Sequence, residues 1–543
     1  MTREREAQKD GDPNVKRFNT TGICIPSKHY MVDISERLKE IRKMVDAGMY
    51  FCINRGRQYG KTTTLSALEN ALSEEYQVVS LDFQGIGTAG FATEESFVKA
   101  FSRAILKKKY TILLPGSVAD ELTEYIHRKD EKAALDELFI TLSDWCASAE
   151  KPLVLFIDEV DSASSNEIFL DFLAQLRLQY LEHQKDSRNP AFHSVILAGV
   201  TDVKNLKRKL RPDEAHKENS PWNIASEFTV DMSLSEPGIR DMLEEYEGDH
   251  HTGMDTALMA NRLRAYTSGY PYLVSRLCQL MDGAVSKAMG PSAAWTEEGL
   301  DEAIKIMLAD GDDTLFGSLM SKLNSFPQLK TQLRGILMRG DVIPWQPYDP
   351  EQAQLRMYGF IKNEHNTVAI ANRIFEMLLY HYFLGESGKN EAFRSDALVY
   401  RSIFISDDNS LNMPLILEHF VETHRRIHGD SDDRFLEEEG RERFLTYLAP
   451  IINGVGTYSI EEQTRDRLRM DVVIHYLGKR YVVELKIWRG PRYHENGEKQ
   501  ILEYLDYFGL TTGYMVSFNF NQNKEPGVRR VSIGDRVLFE ATV

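Results

Sequence analysis

Through the N-terminal part of the chain, short apolar runs alternate with longer stretches whose apolar residues recur at helical spacing. Four runs stand out: MYFCINRG (49–56), YQVVSLDFQ (76–84), KPLVLFIDEVD (151–161) and HSVILAGVTD (193–202). Near-continuous apolar strands separated by helices predict a parallel sheet covered on both faces, because only such strands have no solvent side to mark with polar residues. After about residue 235 the strand pattern fades. Helical spacing over 258–282 and 296–323 predicts a helical lid. The stretch 327–384 is different: a helix over 329–338, a Pro-containing loop, a helix ending near Tyr358-Gly359, then FIKNEHNTVAIAN as a small hairpin turning at Asn363–Asn366. That order is winged-helix-like. GESGKNE (385–391) reads as a polar linker, and beyond residue 430 a second α/β unit begins with an acidic helix over 435–448.

The expected organisation is a tail over 1–21, an α/β core over 22–235, a lid over 236–325, a winged-helix-like unit over 326–385, a connector over 386–429 and a final domain over 430–543. A length of 543 residues allows three or four such units, each with its own core. The composition, 42% hydrophobic and 27% charged, is that of a globular protein. The first residues, MTREREAQKDGDPN, contain no apolar run of the secretory kind. No stretch is apolar enough to span a membrane, so a cytoplasmic chain is expected. The four cysteines, Cys24, Cys52, Cys146 and Cys278, lie far apart, without zinc-ligand spacing. A net charge of −17 disfavours nucleic acid everywhere except at a local basic patch.

RGRQYGKTT (55–63) sits between a strand and a helical pattern. A turn of this kind aims backbone N–H groups and a helix N-terminus at phosphate oxygens. Gly60 gives the turn, Lys61 reaches β- and γ-phosphates, and the Thr62 hydroxyl faces Mg²⁺, flanked by Arg57 and Thr63. The usual G-x-x-x-x-G-K-[ST] pattern is broken at its first position, where Arg55 stands and Gly56 follows. The third apolar run ends in Asp158-Glu159, an aspartate to hold Mg²⁺ and a glutamate to polarise water. Thr201, after the fourth run, reads equally as a γ-phosphate sensor and as a turn residue. The run KNLKRKLR (204–211) reads first as a solvated basic loop, and second as the source of a charge-stabilising arginine at Arg208 or Arg211.

These motifs, with SPWNIA (220–225) and TSGYPYLV (267–274), resemble the AAA-like P-loop ATPases of prokaryotes, relatives of the signalling and origin-recognition group. The resemblance covers 22–280. It implies ATP hydrolysis as a conformational switch, often in a homo-oligomer, with a winged helix following the lid.

In the C-terminal part, RMDVVIHYLGKRYVVELK (469–486) reads as a hairpin turning at Gly478-Lys479. That turn sets Asp471 opposite Lys486 and diagonal to Glu484, with all three on one face. A carboxylate pair with a lysine suits metal-assisted phosphodiester cleavage. EKQILEYLDYF (498–508) reads as a helix and 513–518 as a strand. This helix–hairpin–helix–strand order resembles the PD-(D/E)XK nucleases. The resemblance covers 430–543 and implies catalytic roles for Asp471, Glu484, Lys486 and Gln500, with Asp471 and Glu484 as ligands of Mg²⁺ or Mn²⁺. Met470 replaces the family's proline. Glu438, Glu439 and Glu442 stay open as the helix glutamate. Arg465, Arg467, Arg469, Lys479, Arg480, Arg489, Arg492 and Lys499 offer a basic surface for phosphates, and Tyr481, Trp488 and Tyr493 read first as packing residues.

The expected activity is an ATP-controlled, metal-dependent nuclease acting on DNA, in defence against foreign DNA or genome maintenance, with a protein partner or trigger in addition. The alternative is an ATP-switched binding or signalling protein whose nuclease-like domain no longer cuts. A small-molecule kinase is a further alternative, disfavoured by the Asp158-Glu159 pair.

Overall fold

The computed structural model describes residues 16–128, 133–164, 166–200, 222–339, 341–386, 397, 401–406, 408, 410–428, 437–452, 456–463, 469–488, 491–519 and 524–543. It divides into two compact units, one of residues 1–300 with 346–362 and one of 301–345 with 363–543.

In the first unit, two-residue strands β1 (Arg17–Phe18) and β2 (His29–Tyr30) pair in parallel. The core is a parallel sheet of β3 (Tyr50–Asn54), β4 (Gln77–Asp82), β5 (Leu153–Asp158) and β6 (Ser194–Gly199), in the spatial order β3-β6-β5-β4. The four apolar runs supply these four strands. β5 and β6 are buried along their whole length, as expected of strands with helices on both faces. One face carries a phenylalanine-rich core with Phe83, Phe97, Phe101 and Phe172; the other carries Leu65, Leu68, Val154 and Ile196. Between β4 and β5 lie three helices, Glu94–Lys107, Gly116–His127 and Leu135–Ser148. The first is started by a capping box in which Thr93 and Ser96 satisfy each other's backbone.

The single helix expected over 258–282 is two, Thr256–Thr267 and Pro271–Leu280. Gly269 in the left-handed region and Pro271 at the second helix's first position force the break. The helix expected over 296–323 is likewise two, Glu297–Ala309 and Thr314–Ser325. The Asp313 carboxylate caps the second by accepting the N–H groups of Leu315 and Phe316. Strands β7 (Ile361–Glu364) and β8 (Thr367–Ile370) follow the helix Pro350–Tyr358, turning through His365 and Asn366 at positive φ.

The second unit contains a mixed sheet of β9 (Gly456–Gln463), β10 (Arg469–Tyr476), β11 (Lys479–Ile487), β12 (Thr512–Phe518), β13 (Gly527–Ile533) and β14 (Arg536–Thr542), ordered β13-β14-β12-β11-β10-β9. β9, β10 and β11 are antiparallel, and β12 runs parallel to β11. The helix Pro491–Phe508 covers the face holding Val473, Val482 and Met515, through Ile501, Tyr504 and Leu505. The acidic helix expected over 435–448 is present as Glu437–Ile452, and the strands β9, β13 and β14 add to the elements read from sequence. No helix among the described residues is long and apolar enough to cross a membrane.

Candidate functional site

β3 runs into a loop that reverses at Gly60 and enters the helix Lys61–Leu72. Gly60 has φ +79°, which glycine adopts freely, and Gln58 also sits at positive φ, a strained state for a side-chain-bearing residue. Arg55, where the usual pattern has glycine, directs its side chain out of the loop. Its guanidinium donates to the carbonyls of Asn54 and Val230, both at 2.9 Å, and lies over the Phe228 ring. Position 55 therefore needs no glycine here. Gly56 is confined instead: a Cβ there would meet the Tyr270 hydroxyl at 3.2 Å and the Tyr358 carbonyl at 3.5 Å.

Lys61 is buried, with its ammonium donating to the carbonyls of Gly56 at 2.9 Å and Arg55 at 3.1 Å. Burial lowers its pKa, while the carboxylates of Asp161, Glu159 and Asp158 oppose that shift and Arg57 reinforces it. Thr62 donates its hydroxyl proton to Asp158 Oδ2 at 2.7 Å, joining the helix start to the end of β5. Asp158 Oδ1 takes the N–H of Glu159 at 2.9 Å. Glu159 sits in the left-handed region, and its carboxyl pKa is raised by burial first and by the Asp158 charge second. The Thr63 hydroxyl accepts the Cys24 N–H at 3.2 Å. Gly60, Lys61, Thr62, Asp158 and Glu159 thus gather at the carboxyl ends of β3 and β5, with β6 between them. The Thr62–Asp158 contact sets two hard oxygen donors side by side, a donor set that fits Mg²⁺. Thr201, Arg208 and Arg211 lie outside the described residues.

The second constellation is built on β10 and β11, with a register different from that expected. The turn is Leu477-Gly478, both at positive φ, and Tyr476 pairs with Lys479. Leucine accepts the left-handed position because glycine follows it, giving the backbone twist that two-residue hairpins need. The continued register, from Val472 opposite Val483, sets Asp471 opposite Glu484 rather than opposite Lys486. The shared face survives, because the pairing is shifted by two residues and side chains alternate with a period of two. Glu484 is 1% exposed and forms an ion pair with Lys486 at 2.8 Å. Asp471 accepts the Leu485 N–H at 2.7 Å through Oδ2 and Arg441 at 3.1 Å through Oδ1. Gln500 hydrogen-bonds to Tyr504, one helical turn on, and the Tyr504 hydroxyl pKa is raised by burial, with the Glu484 and Asp471 charges adding to it. Asp471 and Glu484 supply two carboxylate donors of the kind a divalent cation takes, each already engaged by a cation; among the described residues no third His, Cys, Asp or Glu joins them.

Of the three helix glutamates, Glu442 is ion-paired with Arg334 at 2.9 Å; the side chains of Glu438 and Glu439 lie outside the described residues. Part of the basic surface has other work. Lys479 pairs with Asp408 at 2.6 Å, and Arg480 stacks over Phe508. Tyr481 is buried and accepts the Leu411 N–H. Arg465, Arg467 and Arg489 lie outside the described residues, as do the side chains of Arg469, Arg492 and Tyr493.

A family model described as AAA-like domain matches residues 20–384. The chain belongs to the AAA-like domain family. An uncharacterized WD repeat-containing protein of Synechocystis is 23% identical over 271 residues, 49% of this chain; the chain spans only 21% of that relative's length. Among solved structures, the Walker-type ATPase of Pyrococcus abyssi is 15% identical, covering 67% of this chain and 99% of that one at a TM-score of 0.44. Cdc6p of Pyrobaculum aerophilum is 13% identical, covering 64% and 94% at a TM-score of 0.32.

In this AAA-like chain, sequence reading missed three contacts at the two constellations. Asp161, the last acid of LFIDEVD, accepts the Val200 N–H at 2.7 Å and so ties the end of β5 to the end of β6. Its signal was a third carboxylate two residues after Glu159. Tyr270 donates its hydroxyl to the Arg57 carbonyl and sets its ring edge-on to Tyr59 at 4.6 Å, bringing the TSGYPYLV turn onto the phosphate loop. Arg441 reaches Asp471 from the helix where a glutamate was expected, and a run of glutamates concealed it.

Proposed function

We propose that this chain is an ATP-hydrolysing switch joined to a metal-dependent nuclease that cuts DNA. The observation carrying the ATPase half is the buried Lys61 above the Thr62–Asp158 hydrogen bond, with Glu159 beside it. Lys61 exchanges its contacts with the Gly56 and Arg55 carbonyls for β- and γ-phosphate oxygens. Thr62 and Asp158 would hold Mg²⁺, which when bound neutralises charge developing on the phosphates. Glu159, with its raised pKa, takes up proton density from the attacking water. Tyr270 on the loop carbonyl and Tyr358 beside Gly56 offer a route by which the loop's state reaches the lid and the segment leading to β7.

The nuclease half is supported by Asp471 and Glu484 at facing positions with Lys486 on the same face. The order helix, three antiparallel strands, helix, parallel strand fits the resemblance to PD-(D/E)XK nucleases. Asp471 and Glu484 would hold Mg²⁺ or Mn²⁺, which supplies Lewis-acid polarisation of the phosphodiester. Lys486 orients the nucleophilic water or offsets charge at the phosphorus, and Gln500 steadies the helix side of the site through Tyr504. A cytoplasmic homo-oligomer acting in DNA defence or genome maintenance, with DNA and a trigger protein as partners, completes the proposal. Within it, the units run over 22–235, 236–325, 326–385 and 430–543.

One observation favours a second reading, an ATP-switched binding protein with an inactive nuclease-like domain. A guanidinium sits on Asp471, where a metal ligand should be open. Incubating purified protein with linear DNA, circular DNA or RNA, with Mg²⁺ or Mn²⁺ and with or without ATP, separates the two. Cleavage that Glu484→Ala/Lys486→Ala lacks supports the nuclease. ATP hydrolysis with no cleavage under any condition supports the second reading.

A further inference from the structure

The helix Glu437–Ile452 brings an arginine to the carboxylate pair. Arg441 donates to Asp471 Oδ1 at 3.1 Å, and Oδ2 is held by the Leu485 N–H at 2.7 Å. Both partners of this ion pair are nearly buried, at 8% and 11% side-chain exposure. The second carboxylate, Glu484, is deeper still and paired with Lys486. Each of the two carboxylates therefore already has a cation beside it.

We infer that Arg441 is a resident cation at the metal position, so that a divalent ion binds Asp471 and Glu484 only by displacing the Arg441 guanidinium. This rests on the nuclease reading above. The reasoning is electrostatic. A buried carboxylate needs a positive partner, and the Arg441 guanidinium supplies one to Asp471. A divalent ion brought to carboxylates that already carry cations would crowd positive charge into a poorly solvated place, which is costly unless a cation departs. Lys486 lies on β11 beside Glu484, within the sheet's own register, whereas Arg441 comes from a separate helix. That helix is itself fixed: a Cβ on Gly440 would stand 2.4 Å from the Phe518 ring, so the backbone before Arg441 is closely packed on β12. The departure is then a side-chain rotation and not a helix movement. Metal affinity becomes a competition, and whatever offers Arg441 another anion, such as a DNA phosphate, raises it.

The test is Mn²⁺ binding by calorimetry on the full-length, nucleotide-free protein. Wild type and Arg441→Gln are each compared with the same protein carrying Asp471→Asn, which removes binding at the phosphate-loop site from the difference. The expected result is Asp471-dependent Mn²⁺ binding at least tenfold tighter in Arg441→Gln than in wild type. Equal or weaker Asp471-dependent binding in a folded Arg441→Gln protein overturns the inference and leaves the nuclease reading standing. Absence of Asp471-dependent Mn²⁺ binding in both overturns the inference together with the metal site. If Arg441→Gln does not fold, as judged by circular dichroism, Arg441→Met serves instead, since it matches the side chain's length without its charge.

Discussion

Replacing Gly269 by alanine should loosen the turn between the helices Thr256–Thr267 and Pro271–Leu280 from the phosphate loop. Gly269 has φ +72°, and a Cβ there would stand 2.2 Å from the Leu234 carbonyl oxygen and 2.9 Å from the Leu234 nitrogen. The Arg264 guanidinium, also at 2.2 Å, can swing away, but backbone cannot. The chain must separate at this point, which stretches the Leu234 N–H to Gly269 carbonyl bond of 2.7 Å. The left-handed conformation costs an alanine about 1 kcal/mol. The lost hydrogen bond adds about 1 kcal/mol, and more if the buried N–H finds no partner. Gly253 supplies the control, because it has φ +82° and nothing within 4 Å of its virtual Cβ. Gly253→Ala then carries the conformational cost alone. Calorimetric melting should show a fall of roughly 1–2 °C for Gly253→Ala and about twice that for Gly269→Ala. Only the second should weaken binding of a fluorescent ATP analogue, by roughly tenfold, since about 1.4 kcal/mol corresponds to each decade of affinity. The difference arises because the Gly269 turn delivers Tyr270 to the Arg57 carbonyl. Equal nucleotide affinity in the two variants would refute the link between the turn and the loop.

Lys61→Ala should abolish phosphate release from ATP, and wild-type turnover in that variant would sink the nucleotide-site assignment. Glu484→Ala with Lys486→Ala should remove DNA cleavage in a gel assay and leave ATP hydrolysis largely intact; retained cutting would put the nuclease centre elsewhere. The raised pKa of Glu159 fixes the sign of the pH dependence. A base must be deprotonated, so ATP turnover should fall as pH drops through a value above the ordinary glutamate 4.5, and a profile flat down to 4.5 at saturating ATP counts against Glu159 as the base.

The sheet was readable because buried parallel strands leave an unbroken apolar signature, and LVLFID is apolar at every position before its acid. Helix breaks were less readable. The stretch 258–282 keeps helical spacing across Ser268-Gly269, so periodicity alone runs through a turn that glycine and proline impose. In the hairpin, Gly478-Lys479 and Leu477-Gly478 are both plausible turns by composition, and the difference shifts the pairing by two. The carboxylates kept a common face because parity, unlike register, does not depend on which turn forms. Contacts that depend on tertiary packing left the weakest trace. Arg441 lies thirty residues from Asp471, and nothing local distinguishes it from the glutamates around it.

Arg55 has a consequence for how the loop spends its freedom. With its guanidinium fixed to two carbonyls and a ring, the entry to the loop is bolted to the strand layer. The conformational latitude of the segment is confined to Gly56 through Gly60. A nucleotide closing this loop has fewer backbone states to extinguish than it would with glycine at both ends, so less of its binding energy is lost to ordering. Arg55→Gly should therefore make nucleotide capture more entropically costly, even though it restores the common sequence pattern.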